Sequence, residues 1–137
     1  MILNVKSERI EFKILEMLKK YEIKKYFFLD SSFPMIWTLT NQGEKKIAIR
    51  VSEYEGLDTA RNMSGKASWI WVDCFSRLPI GKIESDELHS LGYKLCLVSP
   101  DLVERDREIE VYKETINEYK IEFDAICCKE YNIERWR

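Results

Sequence analysis

Two cations in this sequence lie at or near the ends of short apolar runs, where a side chain could hold an anion. Lys6 ends the first run and Arg50 lies in the third. Either residue type binds phosphate, the arginine through a two-pronged contact and the lysine as a point charge. The alternative is that each pairs with a neighbouring carboxylate, such as Glu53 or Asp30. The sequence therefore predicts either an anion site or a set of internal ion pairs.

Acidic residues of the same segments offer the hard oxygen ligands that Mg²⁺ or Ca²⁺ prefers. Glu53 and Glu55 are the candidate metal ligands, and Asp30 and Asp73 are expected to support the site together with Asn4. The alternative for the two aspartates is to cap the helix that follows each strand. A metal site and a set of helix caps are thus both open.

Two uncharged residues complete the candidate binding site. Ser52 and Phe75 lie at the ends of the third and fourth apolar runs, so they join Lys6, Arg50 and Glu53 as predicted substrate-binding or phosphate-binding residues. Phe75 is the candidate wall of a pocket, because it lies beyond the end of its strand.

No residue of the chain is predicted to be catalytic. General acid and base catalysis needs groups that exchange protons near neutral pH, and the only histidine is His89. It falls in a predicted helix over residues 83–91, far from the polar run ends. Ser99 before Pro100 looks like a nucleophile, but a serine N-cap followed by proline at the first helical position explains the pair.

Trp69 and Trp71 alternate with aliphatic residues, so the two indoles share one face of a strand. They could line a cleft that binds a polyol. Packing under a helix is the expected role, because large aromatic side chains mostly fill cores.

The elements that position these residues are six apolar runs, each followed by a helical stretch. The predicted strands span residues 3–6, 26–32, 46–53, 69–75, 93–100 and 123–129. The predicted helices span residues 8–20, 34–43, 57–63, 83–91, 105–119 and 131–136. Continuous apolar strands alternating with helices are typical of a parallel α/β sheet, which binds ligands at the carboxyl ends of its strands.

Composition narrows the class of protein. At 137 residues the chain is expected to form one domain, residues 1–137. The 22 Lys and Arg residues are interspersed with 24 Asp and Glu, so no basic stripe predicts nucleic-acid binding. Apolar runs far shorter than about 20 residues predict no membrane span. Four cysteines without zinc-site spacing are expected to be buried free thiols, which favours a reducing, cytoplasmic location.

Five segments at the run ends carry a resemblance to a known family. They are NVK at 4–6, FLDSSFP at 28–34, RVSEYE at 50–55, WVDCF at 71–75 and CLVSPDL at 96–102. In this order they look like the later strands of glycerophosphodiester phosphodiesterase-like TIM barrels, which belong to the phospholipase C-like phosphodiesterase superfamily. The resemblance covers nearly the whole chain, and it implies a partial (β/α) barrel with about six parallel strands that lacks the family's first two.

The same resemblance implies a hydrolase-like fold that binds a small phosphodiester and is not catalytically self-sufficient. In the family, the first two strands supply two catalytic histidines and the main metal ligands, and no counterparts occur here. Asn4 stands where the third strand usually has a metal-binding glutamate. The alternative is a non-catalytic binding or assembly protein that dimerises through exposed sheet edges. In either case we expect a homo-oligomer or a partner chain, because open sheet edges must be covered.

Overall fold

The computed structural model describes residues 1–7 and 9–137, and within these ranges short strands alternate with helices. The strands are β1 (Ile2–Asn4), β2 (Phe27–Leu29), β3 (Ala48–Val51), β4 (Trp69–Val72), β5 (Lys94–Val98) and β6 (Ala125–Cys127). The helices are α1 (Glu11–Lys20), α2 (Phe33–Asn41), α3 (Asp58–Asn62), α4 (Lys82–Ser90), α5 (Ile109–Glu118) and α6 (Ile133–Trp136). The predicted α/β class is confirmed.

All of the strand pairs are parallel. β1 pairs with β2, and β3 to β6 form a four-stranded sheet in sequential order. Phe28 links the two sheets through an isolated parallel bridge to Ile47, and its N–H donates to the Lys46 carbonyl at 2.8 Å. Because the carboxyl ends of parallel strands lie at one edge, the polar residues that follow β1 to β4 come together there.

One face of the sheets packs against the helices. Phe28, Ile49 and Ile70 of the strands share a buried apolar cluster with Leu39 of α2 and Leu88 of α4. Fully burying a side chain of this size stabilises the fold by about 1.5–3 kcal/mol. This cluster explains why the helices are amphipathic, since each must present an apolar stripe to the strands.

The opposite face carries a second apolar cluster that contains no helix residue, and we call it the helix-free cluster. Trp69 stacks on a buried phenylalanine of this cluster, with the ring centroids 4.7 Å apart. The expectation that Trp69 and Trp71 pack under a helix is therefore wrong. The buried members of the helix-free cluster are Phe27, Leu29, Ala48, Trp71, Cys96 and Val98.

Most helices lie where the sequence pattern predicts them, with shifts at their ends. α1 begins at Glu11, inside the predicted range 8–20, and Glu8 lies outside the described residues. α5 begins later than predicted, because residues 106–108 first form a separate 3₁₀ turn. In the described ranges, no helix is both long enough and apolar enough to cross a membrane.

The start of α4 is closed by a capping interaction of its own first turn. The Glu84 carboxylate accepts the N–H of Gly81, the N-cap residue, at 2.9 Å, so a side chain of the first turn satisfies this backbone donor. Ser85, which lies within α4 and is buried, donates from its hydroxyl to the carbonyl of Glu122 at 3.2 Å.

Replacing Trp71 with alanine tests the importance of the helix-free cluster. Trp71 is 7% exposed, so we expect W71A to lower the free energy of unfolding by about 3–5 kcal/mol. Trp37 is 59% exposed on α2, and W37A serves as the matched control with a change below about 1 kcal/mol. Urea denaturation monitored by circular dichroism measures both. Equal effects of the two substitutions would show that the cluster is not a core.

Candidate functional site

Five charged side chains that follow β1 to β4 or lie within β3 form what we call the ion-pair network. Arg50 lies at its centre, and its guanidinium group donates a hydrogen bond to Asp30. The Nε of Arg50 is 3.6 Å from an Asp73 oxygen and 3.9 Å from a Glu55 oxygen. Lys6 donates from Nζ to the other Asp30 oxygen at 2.8 Å. Asp30 therefore bridges the two cations, as one of the predicted alternatives had it.

The alternation of side chains along β3 explains the position of Arg50. Ile49 and Val51 face the helices, whereas Ala48 belongs to the helix-free cluster. Arg50 has the same parity as Ala48, so its side chain leaves the strand on the face without helices. The guanidinium group therefore lies near the carboxylates that follow β2, β3 and β4.

Asp30 adopts a backbone conformation that few residue types tolerate. Its φ is 61°, in the left-handed region where aspartate and asparagine are enriched among non-glycine residues. Burial disfavours its charge, but the hydrogen bond from Lys6 and the charge of Arg50 outweigh that effect and lower the pKa of Asp30. The predicted helix-cap role is wrong, because the N-cap position of α2 is occupied by Ser32.

Asp73 behaves in the opposite way to Asp30. It is 8% exposed, and this burial raises the pKa of its carboxyl although the nearby Arg50 charge partly offsets the effect. It does not cap a helix, because the next helix begins only at Lys82. As the pH falls, Asp73 is therefore protonated before Asp30.

Glu53 holds a loop in place. Its Oε1 accepts the backbone N–H groups of Ser76 and Arg77, each at 2.7 Å, and its Oε2 accepts the N–H of Phe75 at 3.3 Å. Burial opposes ionisation, but these hydrogen bonds outweigh it and lower the pKa of Glu53 to about 2. The predicted pairing of Glu53 with the two cations is wrong, since backbone donors occupy its carboxylate.

A second residue that holds the same loop is Arg105, which the sequence did not single out. Arg105 donates from one guanidinium nitrogen to the carbonyls of Cys74 at 3.3 Å and Phe75 at 3.0 Å. A salt bridge to Glu108 fixes the guanidinium group itself. Phe75 is thereby presented at the strand ends, 41% exposed and with its ring centroid 6.1 Å from that of Tyr54.

Ser52 and Glu55 form a small turn after β3. The Ser52 hydroxyl donates to a Glu55 oxygen at 2.9 Å, and the two residues exchange backbone hydrogen bonds of 3.0 and 3.3 Å. This turn holds Glu55 near Arg50. Asn4 ends β1 with an exposed side chain, and within the described residues it makes no side-chain hydrogen bond to the network.

Two cavities open beside the ion-pair network. The larger, of about 590 Å³, is lined by Asp30, Arg50 and Glu55 together with Phe33 of α2. Its volume lies within the range of about 300–1,000 Å³ that is typical of small-molecule sites. The smaller, of about 180 Å³, is lined by Lys6 and Asp30 and also by Glu11 of α1.

Glu11 is a site residue that the sequence pattern missed. A glutamate in the first turn of a helix normally faces solvent and complements the helix dipole. Here it is fully buried, and neither carboxylate oxygen has a hydrogen-bond partner among residues 1–7 and 9–137. Burying a carboxylate without a hydrogen-bond partner costs free energy. Glu11 lines the smaller cavity together with Lys6 and Asp30, so we include it among the residues of the candidate site.

The carboxylates of Asp30 and Glu53 already accept hydrogen bonds from the protein, and the divalent-cation site stays a prediction. Mg²⁺ and Ca²⁺ need several carboxylate or carbonyl oxygens directed at one point. The oxygens of Glu53 accept loop N–H groups, and those of Asp30 accept Lys6 and Arg50. Over the described part of the chain, no three His, Cys, Asp or Glu side chains are grouped as a metal site.

Neither candidate for proton transfer or nucleophilic attack lies in a catalytic arrangement. His89 Nε2 is 3.2 Å from an Asp124 oxygen, at the start of β6 and thus at the opposite end of the strands. The Ser99 hydroxyl accepts a hydrogen bond from the Trp136 indole at 2.9 Å.

Cys96 is a buried free thiol, and burial raises its pKa to about 12, so it is protonated at neutral pH.

Comparison with known proteins gives no relative for this site. No protein-family model matches the chain, and searches of the curated proteins and of the solved structures find no significant match. The resemblance of the strand ends to the phosphodiesterase family therefore stays a prediction.

Substitutions of Asp30 and Asp73 are expected to change stability in opposite directions. The lowered pKa of Asp30 means that its charge stabilises the fold, so at pH 7 Asp30→Asn should cost about 1–3 kcal/mol. The raised pKa of Asp73 means that its charge destabilises the fold, so Asp73→Asn should increase the free energy of unfolding.

Both effects should depend on pH. The cost of Asp30→Asn disappears as the pH falls through the folded-state pKa of Asp30, because the wild-type carboxyl then becomes neutral. The gain from Asp73→Asn shrinks as the pH falls from the raised pKa of Asp73 toward the ordinary value of 3.8. Urea unfolding of both variants over a pH series checks this. A shift of the same sign in both variants at pH 7 would contradict the assigned roles.

Proposed function

We propose that the chain binds a small phosphodiester of the glycerophosphodiester class at the carboxyl ends of its strands. The observation that carries this proposal is the convergence of Lys6 and Arg50 on one carboxylate, Asp30, beside a cavity of about 590 Å³. A phosphoryl oxygen can replace a carboxylate oxygen between an ammonium and a guanidinium group, because both anions accept charge-assisted hydrogen bonds.

The charge of the network favours a phosphodiester over a phosphate monoester. Three carboxylates, those of Asp30, Glu55 and Asp73, surround two cations. A phosphodiester adds one negative charge, whereas a monoester adds about 1.5 to 2 at pH 7 and is repelled more strongly. The carboxylates are also suitable acceptors for the hydroxyl groups of a glycerol moiety, so one site can bind both halves of such a ligand.

The proposal includes a finer description of the fold, a partial (β/α) barrel of six parallel strands. Support comes from the sequential order of the strands and from the bridge between Phe28 and Ile47, which joins the two sheets. The helix-free cluster adds to this support, because inward side chains of barrel strands pack on one another without helices. Barrels of this type bind ligands at the carboxyl ends of the strands.

Catalysis by this chain alone is not part of the proposal. Hydrolysis of a phosphodiester by general acid and base needs groups that exchange protons near neutral pH. The only histidine of the chain, His89, lies at the opposite end of the strands from the ion-pair network. Any hydrolysis would therefore need proton-transfer groups from outside residues 1–137.

Binding of glycerophosphocholine, measured by isothermal titration calorimetry, tests the proposed site. We expect saturable binding, with weaker affinity for glycerol 3-phosphate because of its higher charge. Lys6→Ala and Arg50→Ala should each weaken binding at least tenfold, since hydrogen bonds to charged groups contribute about 1.5–3 kcal/mol.

The controls separate loss of the site from loss of the fold. Lys13→Ala removes an exposed lysine of α1 and should leave the affinity unchanged. The Lys6 side chain is 72% exposed, so Lys6→Ala should retain the fold even if Arg50→Ala does not. Absence of binding to the wild-type chain, or equal affinities of Lys6→Ala and Lys13→Ala, would overturn the proposal.

A second candidate function is assembly through sheet edges, and it has its own supporting observation. Within the described residues, β1 pairs only with β2 and β6 pairs only with β5. Each of these strands therefore has an edge with unpaired backbone groups, which can add a strand from another chain. A homodimer joined at such an edge is the simplest product.

Sedimentation velocity over a range of concentrations tests this second candidate. We expect a dimer for the wild-type chain and a monomer for Ile126→Lys, because lysine on an edge strand opposes pairing. Val111→Lys on α5 is the control, since Val111 is also an exposed aliphatic residue, and it should remain dimeric. A wild-type chain that stays monomeric at all concentrations would exclude assembly through its edges.

A further inference from the structure

A third cavity, of about 490 Å³, lies at the amino-terminal ends of the strands, opposite the ion-pair network. Residues from the starts of several strands line it, among them Ile2 of β1, Phe27 of β2, Trp69 of β4 and Ala125 of β6. Its volume is in the range of small-molecule sites. It shares no lining residue with the two cavities beside the ion-pair network.

The charge around this third cavity is of one sign. Four lysines line it, and no aspartate or glutamate does: Lys24, Lys25, Lys46 and Lys94. Within the described residues, none of the four forms an ion pair with a carboxylate. Cations gathered at one place repel one another, and a bound anion relieves that repulsion.

Glu44 is an acidic residue hydrogen-bonded to two of the lining residues, and it is already engaged. Glu44 accepts the hydroxyl of Tyr26 at 2.7 Å through one oxygen and the backbone N–H of Lys46 at 2.7 Å through the other. The Lys46 ammonium lies 4.3 Å from the centre of the Tyr26 ring. Glu44 therefore fixes the tyrosine and the backbone of Lys46, and the lysine side chain stays directed at the ring and the cavity.

Aromatic and aliphatic side chains form the inner wall of the cavity. Trp69 is half-buried and stacks on Phe27 with an interplanar angle of 25°, and the Lys94 ammonium lies 5.8 Å from the centre of its ring. Cys96 and Ala125 complete an apolar wall. The cavity is thus apolar inside and cationic at its lysines, which is the pattern that binds an anion with an apolar body.

We propose that this cavity binds a small organic anion with an aromatic body. The aromatic part packs against Trp69 and the apolar wall, and the anionic group is held by Lys46 and Lys94. The site is separate from the proposed phosphodiester site and does not depend on it. A small anion fits better than a nucleic-acid strand, because the lysines converge on one cavity while the chain as a whole carries a net charge of −2.

Two fluorescent probes that differ by one sulfonate group test the proposal. The anionic probe is 8-anilinonaphthalene-1-sulfonate, and its uncharged counterpart is N-phenyl-1-naphthylamine. We expect the native chain to bind the sulfonate more tightly than the uncharged probe. The double variant Lys46→Ala/Lys94→Ala should weaken sulfonate binding at least fivefold, or about 1 kcal/mol, and leave binding of the uncharged probe unchanged.

A charge-matched control distinguishes the site from a general effect of net charge. Lys13→Ala/Lys66→Ala removes two exposed lysines away from the cavity and should retain wild-type affinity for the sulfonate. Equal losses in the two double variants would overturn the proposal, and so would equal affinities of the two probes. Displacement of the sulfonate by a single-stranded oligonucleotide at lower concentration than by 1-naphthoate would also overturn it, in favour of a polyanion surface.

Discussion

The strands of this protein are apolar on both faces, while helices cover only one of them. This constraint decides much of the structure, because the apolar side chains on the face without helices must be buried by packing on one another. Phe27, Leu29, Trp71, Cys96 and Val98 are all buried, and they pack on one another without any helix residue. The hydrophobic effect thus acts twice on the same strands, once toward the helices and once toward this internal cluster.

Both proposed sites depend on the helix-free cluster. Leu29 and Ala48 line the cavity beside the ion-pair network, and Phe27 and Cys96 line the cavity at the opposite ends of the strands. One apolar cluster therefore lies between the ion-pair network at one end of the strands and the four lysines of the third cavity at the other end.

The class of fold was predictable because long apolar runs leave few alternatives to buried parallel strands. The ion pairs of Asp30 with Lys6 and Arg50 were also within reach of the sequence, since parallel strands bring their carboxyl ends together. The role of Glu53 was not, because its partners are backbone N–H groups of residues 75–77, and backbone donors carry no signature in a sequence.

Other errors have a similar origin. Trp69 and Trp71 were correctly placed on one face, but alternation alone does not say which face the helices cover. Glu11 looked like an ordinary residue of a first helical turn, and only the packing of α1 near Lys6 buries it. In each case the missing information was the position of one element relative to another and not the identity of a residue.

The left-handed backbone of Asp30 has a consequence for how this protein can vary in evolution. At a φ of 61°, asparagine and glycine are the residues that replace aspartate with little strain, and most others would distort the chain after β2. Both tolerated replacements remove the negative charge that holds Lys6 and Arg50 together. Replacement at this position would therefore leave the two cations of the ion-pair network with Glu55 and Asp73 alone, and Lys6 would lose its carboxylate partner.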